Sequence, residues 1–253
     1  MVAGLTLSTT RLPEIAAPTP RPDWALFLDI DGTLLDLAPR PDAVEVPVNL
    51  AATLADAASW LGGALAIVSG RTIAEIDQLM APLCLPCVGE HGAVIRHPGG
   101  AVDRAGPDRA VPPAWKASLH AATKPWPGVL VEEKTYGVAV HFRQAPGREG
   151  EIRDLVEGLV SRDGTEFEVL PASMAFEIRH RALTKAIAVD AFMAGPPFAG
   201  RIPVFVGDDV TDEDGFRAAR AMGGLGLNVK NSFGGQPSVV RRWLGDFASP
   251  PPR

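Results

Sequence analysis

Two aspartates one residue apart, Asp29 and Asp31, follow the apolar run Leu26-Phe27-Leu28 and lead at once into Gly32 and Thr33. A buried strand ending in such a pair places carboxylates where the chain leaves the sheet, the edge at which open α/β sheets bind ligands. Gly32 tolerates backbone angles that other residues resist, so the turn can curl amides toward an anion. A carboxylate in that place could attack phosphorus or hold a divalent cation. The plainer alternative is an Asp-Gly turn after an ordinary strand.

Three further groups share this placement. Ser69-Gly70-Arg71 comes directly after the apolar stretch 64–68. Lys185 lies in the first turn of a predicted helix, and Gly207-Asp208-Asp209-Val210-Thr211-Asp212 comes directly after Val204-Phe205-Val206. Taken singly, Ser69 could begin a turn, Lys185 could be a solvated lysine, and the acids at 208–212 could complement a helix dipole. Together, two acidic clusters that each end an apolar strand would converge on one crevice of a parallel sheet. Crowded carboxylates repel, so a cation is the expected counterpart, and an all-oxygen ligand set favours Mg²⁺.

The elements that must position these groups alternate along the chain. Residues 24–30 predict a strand, 49–61 a helix stopped at Gly62, and 64–68 a short buried strand. Thr72 with Glu75 forms a capping-box pattern, and 87–95 predicts one further strand. Residues 97–113 are rich in Gly and Pro and read as a linker. A different pattern follows: a helix at 115–122, β-rich runs at 129–134 and 136–143 joined at Thr135, and an amphipathic helix at 149–160. Strands at 166–170 and 175–179 complete it, with a turn near Pro171 and Ala172. The first pattern resumes at Thr184 with a helix to Met193, a strand at 203–206, a helix at 213–222, a strand at 225–229 and a helix at 239–247. This order predicts an α/β fold: a Rossmann-like parallel sheet core with helices on both faces, formed by 23–96 and 184–248, with a smaller α/β domain inserted at 97–183. The prolines of residues 1–22 suggest a flexible leader, and 249–253 a disordered tail.

Composition narrows the function classes. The chain has 253 residues, 46% of them apolar, and a net charge of −6, as expected of a soluble globular protein. It carries no Lys/Arg run that would form a nucleic-acid stripe. No stretch approaches the ~18 apolar residues of a membrane span. The start lacks a basic segment followed by an apolar one, so no signal peptide is read and the cytoplasm is expected. Cys84 and Cys87 have redox-pair spacing but lie between a helical segment and a strand, so they read as small apolar residues at the core edge.

The four groups, in this order, resemble the haloacid dehalogenase-like phosphohydrolases, and the inserted block resembles that family's second type of cap domain. A narrower resemblance, over about residues 22–245, is to the trehalose-6-phosphate phosphatases. It rests on Ser69-Gly70-Arg71, on Gly89-Glu90-His91-Gly92-Ala93, on Val131-Glu132-Glu133-Lys134 leading into Val138-Ala139-Val140-His141-Phe142-Arg143, and on the run from Gly207 to Asp214. The lysine element Leu183-Thr184-Lys185-Ala186 departs from the family, which usually has a small residue before the lysine and glycine after it. The leader before Trp24 matches no part of the family pattern.

The resemblance implies Mg²⁺-dependent hydrolysis of trehalose 6-phosphate through an aspartyl-phosphate. Asp29 would be the nucleophile, and Asp31 the general acid and then the base. Mg²⁺ would be held by the Asp29 carboxylate, the Asp31 backbone carbonyl and Asp208, with Asp209 and Asp212 in support. Thr33, Ser69 and Lys185 would hold the phosphoryl oxygens. Arg71, Glu90, His91, Glu132, Lys134 and Glu177 would bind the rest of the substrate, with the cap hinging at 96–112 and 180–183. A satisfied loop histidine remains the alternative for His91, and a solvated sheet face for Glu132, Lys134 and Glu177. A monomer is expected, coupled functionally to a separate trehalose-6-phosphate synthase. The competing readings are a related phosphatase (sucrose-phosphate, mannosyl- or glucosyl-phosphoglycerate, hexose phosphate), a mutase, and a non-catalytic sugar-phosphate sensor.

Overall fold

The computed structural model describes residues 17–38, 44–163, 166–172 and 174–248. The first half of the core runs β1 (Trp24–Leu28), α1 (Leu50–Trp60), β2 (Leu65–Val68), α2 (Ile73–Met80), β3 (Cys87–Gly89), β4 (Val94–Arg96) and β5 (Val102–Arg104). The inserted block runs α3 (Pro113–Thr123), β6 (Leu130–Glu133), β7 (Val138–His141), α4 (Glu149–Asp163), β8 (Phe167–Ala172) and β9 (Ala175–His180). The core resumes with α5 (Ala186–Met193), β10 (Ile202–Gly207), α6 (Glu213–Ala221), β11 (Leu225–Asn228), α7 (Val229–Ser232) and α8 (Pro237–Gly245).

The core sheet has the order β11-β10-β1-β2-β3-β4-β5, parallel from β11 to β3 and antiparallel beyond. All five residues of β1 are buried, as a central strand covered on both faces requires. Trp24 and Phe27 lie on opposite faces of that strand. Trp24 packs 6.3 Å from the Trp243 ring of α8, and Phe27 packs 6.3 Å from the Phe192 ring of α5. Helices therefore cover both faces, as the alternating pattern predicts. Chain order reverses across β1, with β2 on one side and β10 on the other, and such a switch point opens a crevice at the carboxyl ends of the strands.

The inserted block is a second sheet, β6-β7-β9-β8, antiparallel throughout. Val138, Val140, Phe176 and Ile178 turn one face onto α3 and α4, giving the block its own apolar core with Trp115, Leu119, Ile152 and Val156. A third cluster of Ala93, Val94, Tyr136 and Leu183 lies where the two units meet.

Four expectations are corrected. Residues 87–95 are not one strand. Glu90 and His91 adopt φ of +48° and +57°, the chain turns through Gly92, and β4 returns antiparallel to β3. The stretch 97–113 is more than a linker, since it supplies β5 to the core sheet. Pro171 and Ala172 belong to β8 rather than to a turn, which an edge strand permits because proline's missing N–H is not needed there. Of the expected leader, Ala17 packs against the core and Pro20 is buried, and the Trp243 indole N–H donates to the Pro18 carbonyl at 2.9 Å. The rest of the leader and the tail from 249 lie outside the described residues. Cys87 is buried and Cys84 exposed, both free, and burial pushes the Cys87 thiol up to about 12. No helix among the described residues is long and apolar enough to cross a membrane.

Candidate active site

Asp29, Ser69 and Asp208 each follow the last residue of a parallel strand, β1, β2 and β10. The Asp29 N–H donates to the Val206 carbonyl at 3.0 Å, which locks the first carboxylate to the neighbouring strand end. Two glycines then let carboxylates approach backbone. Gly32, at φ +78°, would put a Cβ 2.0 Å from Asp208 Oδ2. A Cβ on Gly207 would lie 2.3 Å from Asp212 Cγ. Any side chain at either position would push a carboxylate out of the cluster.

Asp29, Asp208 and Asp212 each bring one oxygen within 4.8 Å of the others. Lys185, at the start of α5, is 3% exposed and reaches into this group. Its Nζ donates to Asp29 Oδ1 at 2.7 Å and to Asp212 Oδ1 at 2.6 Å. Asp212 Oδ2 accepts the backbone N–H groups of Asp208 and Asp209, each at 3.0 Å. Asp212 is thus committed on both oxygens and serves as the brace of the turn.

One ammonium faces three carboxylates. Burial raises the Asp29 carboxyl well above its usual range, and the charges of Asp212 and Asp208 add to this against the pull of Lys185. Burial, then the charges of Asp212 and Asp209, push Asp208 up to about 7. Against its burial, Asp212 and Asp29 raise the Lys185 ammonium above its ordinary value. The cluster therefore holds more negative charge than the protein compensates, in an all-oxygen donor set.

The remaining predicted residues divide. Thr33 Oγ1 lies 3.5 Å from Asp208 Oδ1, and Ser69 Oγ accepts the Arg71 N–H at 3.2 Å. Asp31 is gripped by Arg71, with Nε to Oδ2 and Nη2 to Oδ1 both 2.7 Å, the two-pronged geometry that fixes a carboxylate plane. Asp209 stands apart from the carboxylate cluster, since it is exposed and accepts the Val210 N–H at 2.7 Å. Glu90 does not line the cavity. It is 5% exposed, and its carboxylate accepts the Tyr136 N–H of the inserted block at 2.7 Å.

A cavity of about 640 Å³ opens between the two units. Its floor includes Asp29, Asp31, Ser69, Arg71, Lys185 and Asp208, and its roof includes Glu132, Lys134, His141 and Glu177. The antiparallel register sets the roof, with Glu132, Ala139 and Glu177 opposite one another across three strands. Lys134 Nζ donates to Glu177 Oε1 at 2.9 Å, and His91 Nε2 lies 3.3 Å from Glu177 Oε2. Burial works to raise the Glu177 carboxyl, but Lys134 and His91 outweigh it and hold the group far below the usual carboxylate range. Burial holds the His91 imidazole below its ordinary value, against the pull of Glu177. His141, Arg143, Gln144 and Glu75, to which the sequence patterns assign no site role, also line the cavity. The two-residue alternation from Ala139 to His141 was the available signal, because it puts both on one face of β7.

Comparison with known proteins agrees with this arrangement. The profile of the family described as Trehalose-phosphatase matches residues 27–242. The chain is 45% identical, over 92% of its length and 86% of the relative's, to a "Probable trehalose-phosphate phosphatase" of Sinorhizobium fredii. It is 35% identical to the trehalose-6-phosphate phosphatase of Escherichia coli, over 89% of this chain and 82% of that one. The C-terminal domain of a C. albicans trehalose-6-phosphate phosphatase shares the fold, with a TM-score of 0.70 at 19% identity over 89% of this chain and 92% of that one. A phosphatase of the haloalkanoate enzyme superfamily from Bacteroides thetaiotaomicron shares it more distantly, with a TM-score of 0.52 at 15% identity over 96% and 99% of the chains. On the profile match and the two close relatives together, this chain belongs to the trehalose-phosphatase family of phosphoric monoester hydrolases.

Proposed function

We propose that this chain hydrolyses trehalose 6-phosphate to trehalose and phosphate, with Mg²⁺ as cofactor. The observation that carries the reading is a single cavity with two unlike walls. A floor of Asp29, Lys185 and Asp208 suits phosphoryl chemistry, and a roof of Glu132, Lys134 and Glu177 suits many hydroxyls. A volume of about 640 Å³ accommodates a disaccharide phosphate. The relatives from S. fredii and E. coli carry this activity in their names.

The donor set fits a hard divalent ion, because the crowded carboxylates are short of positive charge and offer only oxygen. Asp29, Asp208 and the Asp31 carbonyl would hold it, with Asp212 bracing the turn. When bound, Mg²⁺ neutralises charge so that an anionic nucleophile can meet an anionic phosphate.

Asp29, steadied through Oδ1 by Lys185, attacks phosphorus. The new Asp29–phosphorus bond forms as the bond from phosphorus to the sugar oxygen breaks. Asp31 gives that oxygen its proton, then takes a proton from the water that hydrolyses the phosphoaspartate, a role worth ~10²–10⁴-fold. Arg71 engages both Asp31 oxygens, so Asp31 must leave that ion pair and take up a proton before it can act as the acid. Thr33, Ser69 and Lys185 hold the phosphoryl oxygens. The inserted block from Pro113 to His180 acts as a cap, hinging in 105–112 and 181–183, after the core strand β5, to exclude water. The enzyme works as a cytoplasmic monomer on substrate supplied by a separate synthase.

The test is phosphate release, with and without Mg²⁺, from trehalose 6-phosphate beside sucrose 6-phosphate, glucose 6-phosphate and mannosylglycerate phosphate. Preference for the trehalose ester, lost with chelator, is the expected result. Preference for another ester overturns the substrate, and no release from any overturns the chemistry.

A further inference from the structure

On the cavity face of the cap sheet, His141 Nε2 lies 2.6 Å from Glu132 Oε2. The two are not direct cross-strand partners. Glu132 stands opposite Ala139, and His141 opposite Leu130, so the contact runs diagonally across β6 and β7. Both side chains are about three-quarters buried, at 23% and 27% exposure, and both line the cavity. Neither belongs to the apolar cluster on the other face of the sheet. The hydrogen bond from His141 is the leading reason that the Glu132 carboxyl lies below its usual range.

We propose that His141 is a positioning residue for Glu132 and thereby sets how strongly the cap prefers a sugar ester; this rests on the sugar-phosphate reading above. The reason lies in the row Glu132, Ala139, Glu177. Neighbouring strands are ~4.8 Å apart, so the two acidic positions stand about 10 Å apart across the small alanine. Lys134 is already bonded to Glu177, and Glu132 also acts on it electrostatically. An unrestrained Glu132 would swing toward that ammonium and close the gap over Ala139. His141, opposite Leu130, holds it toward that end of the strand, away from Lys134. Glu132 Oε1 takes no hydrogen bond among the described residues and remains available to a sugar hydroxyl. Holding a flexible carboxylate in place before binding removes an ordering cost that the substrate would otherwise meet.

The experiment compares wild type with H141F, which keeps a ring and loses the donor, and H141Q, whose amide restores a donor near Nε2. Steady-state kinetics are measured on trehalose 6-phosphate and on p-nitrophenyl phosphate. The expected result for H141F is a KM for trehalose 6-phosphate raised about tenfold, as loss of a charge-assisted hydrogen bond implies. Its kcat should stay within about twofold, and its preference for the sugar ester over the aryl ester should fall about tenfold. H141Q should recover most of the preference. An unchanged KM in H141F, an equal loss on both esters, or no recovery in H141Q overturns the proposal. If wild type hydrolyses the aryl ester but not trehalose 6-phosphate, the substrate reading fails instead. The same contrast, run on the sugar phosphate that wild type prefers, then decides the role of His141.

Discussion

Lys185 Nζ stands 2.7 Å from Asp29 Oδ1 although 156 residues separate the two. The whole cap is inserted between them, so the contact joins the two halves of the core. The lysine also reaches Asp212, which makes it the sole ammonium among the three carboxylates of the described cluster, two of them buried. Lys185→Ala should therefore lose on two counts. Turnover should fall by about 10²–10³-fold, as for loss of a preorganised charge at a reacting group. Stability should fall by ~3–5 kcal/mol, because buried anions lose their partner. Phosphate-release kinetics and thermal melts check both, and activity within tenfold of wild type would remove Lys185 from the chemistry.

Asp29→Asn separates folding from catalysis. Burial and like charges already disfavour the ionised Asp29 carboxylate. The neutral amide should leave the melting temperature unchanged or higher while abolishing turnover. A lower melting temperature would show that the charge is needed by the fold, and near-normal turnover would exclude Asp29 as nucleophile.

Mg²⁺ should stabilise the folded chain by mass action, by ~2.7 kcal/mol at a hundred times its dissociation constant. The increment should disappear in Asp208→Asn, since that residue is a predicted ligand and its carboxyl is strained by its neighbours. Melting curves with and without the ion read this directly. An Asp208→Asn protein that keeps the full increment would place the ion elsewhere.

Glu177 supplies the pH dependence. Its folded carboxyl is held far below the unfolded value of ~4.3, so its contribution is present above that value. The contribution is lost as pH falls below ~4.3 toward the folded value, because the unfolded chain then binds the extra proton. Glu177→Gln leaves Lys134 buried without its partner and should cost ~3–5 kcal/mol at pH 7. The gap to wild type should narrow below pH ~4. Denaturant titrations across pH 3–7 measure it, and a gap that stays constant would show that the charge of Glu177 is not the source.

Glu90 gives a prediction about the join between cap and core. Its carboxylate accepts the Tyr136 N–H at 2.7 Å from a turn with two left-handed residues. Glu90→Ala strands a buried donor and should cost ~1–3 kcal/mol. Amide exchange at Tyr136 should speed up more than exchange in β1. Glu90→Gln keeps an acceptor and should restore most of the protection. Uniform acceleration would indicate global loss of stability and not release of the cap.

Much of this was legible in the chain. Asp29, Asp31, Ser69 and Asp208 could be placed at strand ends because unbroken apolar runs mark strands buried on both faces, and the residue after such a run must emerge at the sheet edge. The Thr72–Glu75 capping box was equally readable, being wholly local, and it is formed. The break between β3 and β4 was not readable. It depends on Glu90 and His91 taking left-handed angles that non-glycine residues rarely adopt, and the bond from Glu90 to Tyr136 in the cap helps to hold them there.

The sequence by itself determined the alternation of elements, the family, and which residue types stand at the strand ends, since these follow from local pattern and from motifs a few residues long. Only the tertiary structure decided which carboxylates share one crowded cluster and which, like Asp209, face solvent. It alone assigned Arg71 to Asp31, Glu90 to the cap backbone, and His141 to Glu132. The physical reason is range. Periodicity fixes which face of an element a residue occupies, but hydrogen bonds and Coulomb energies depend on distances of a few ångströms between elements that only packing brings together.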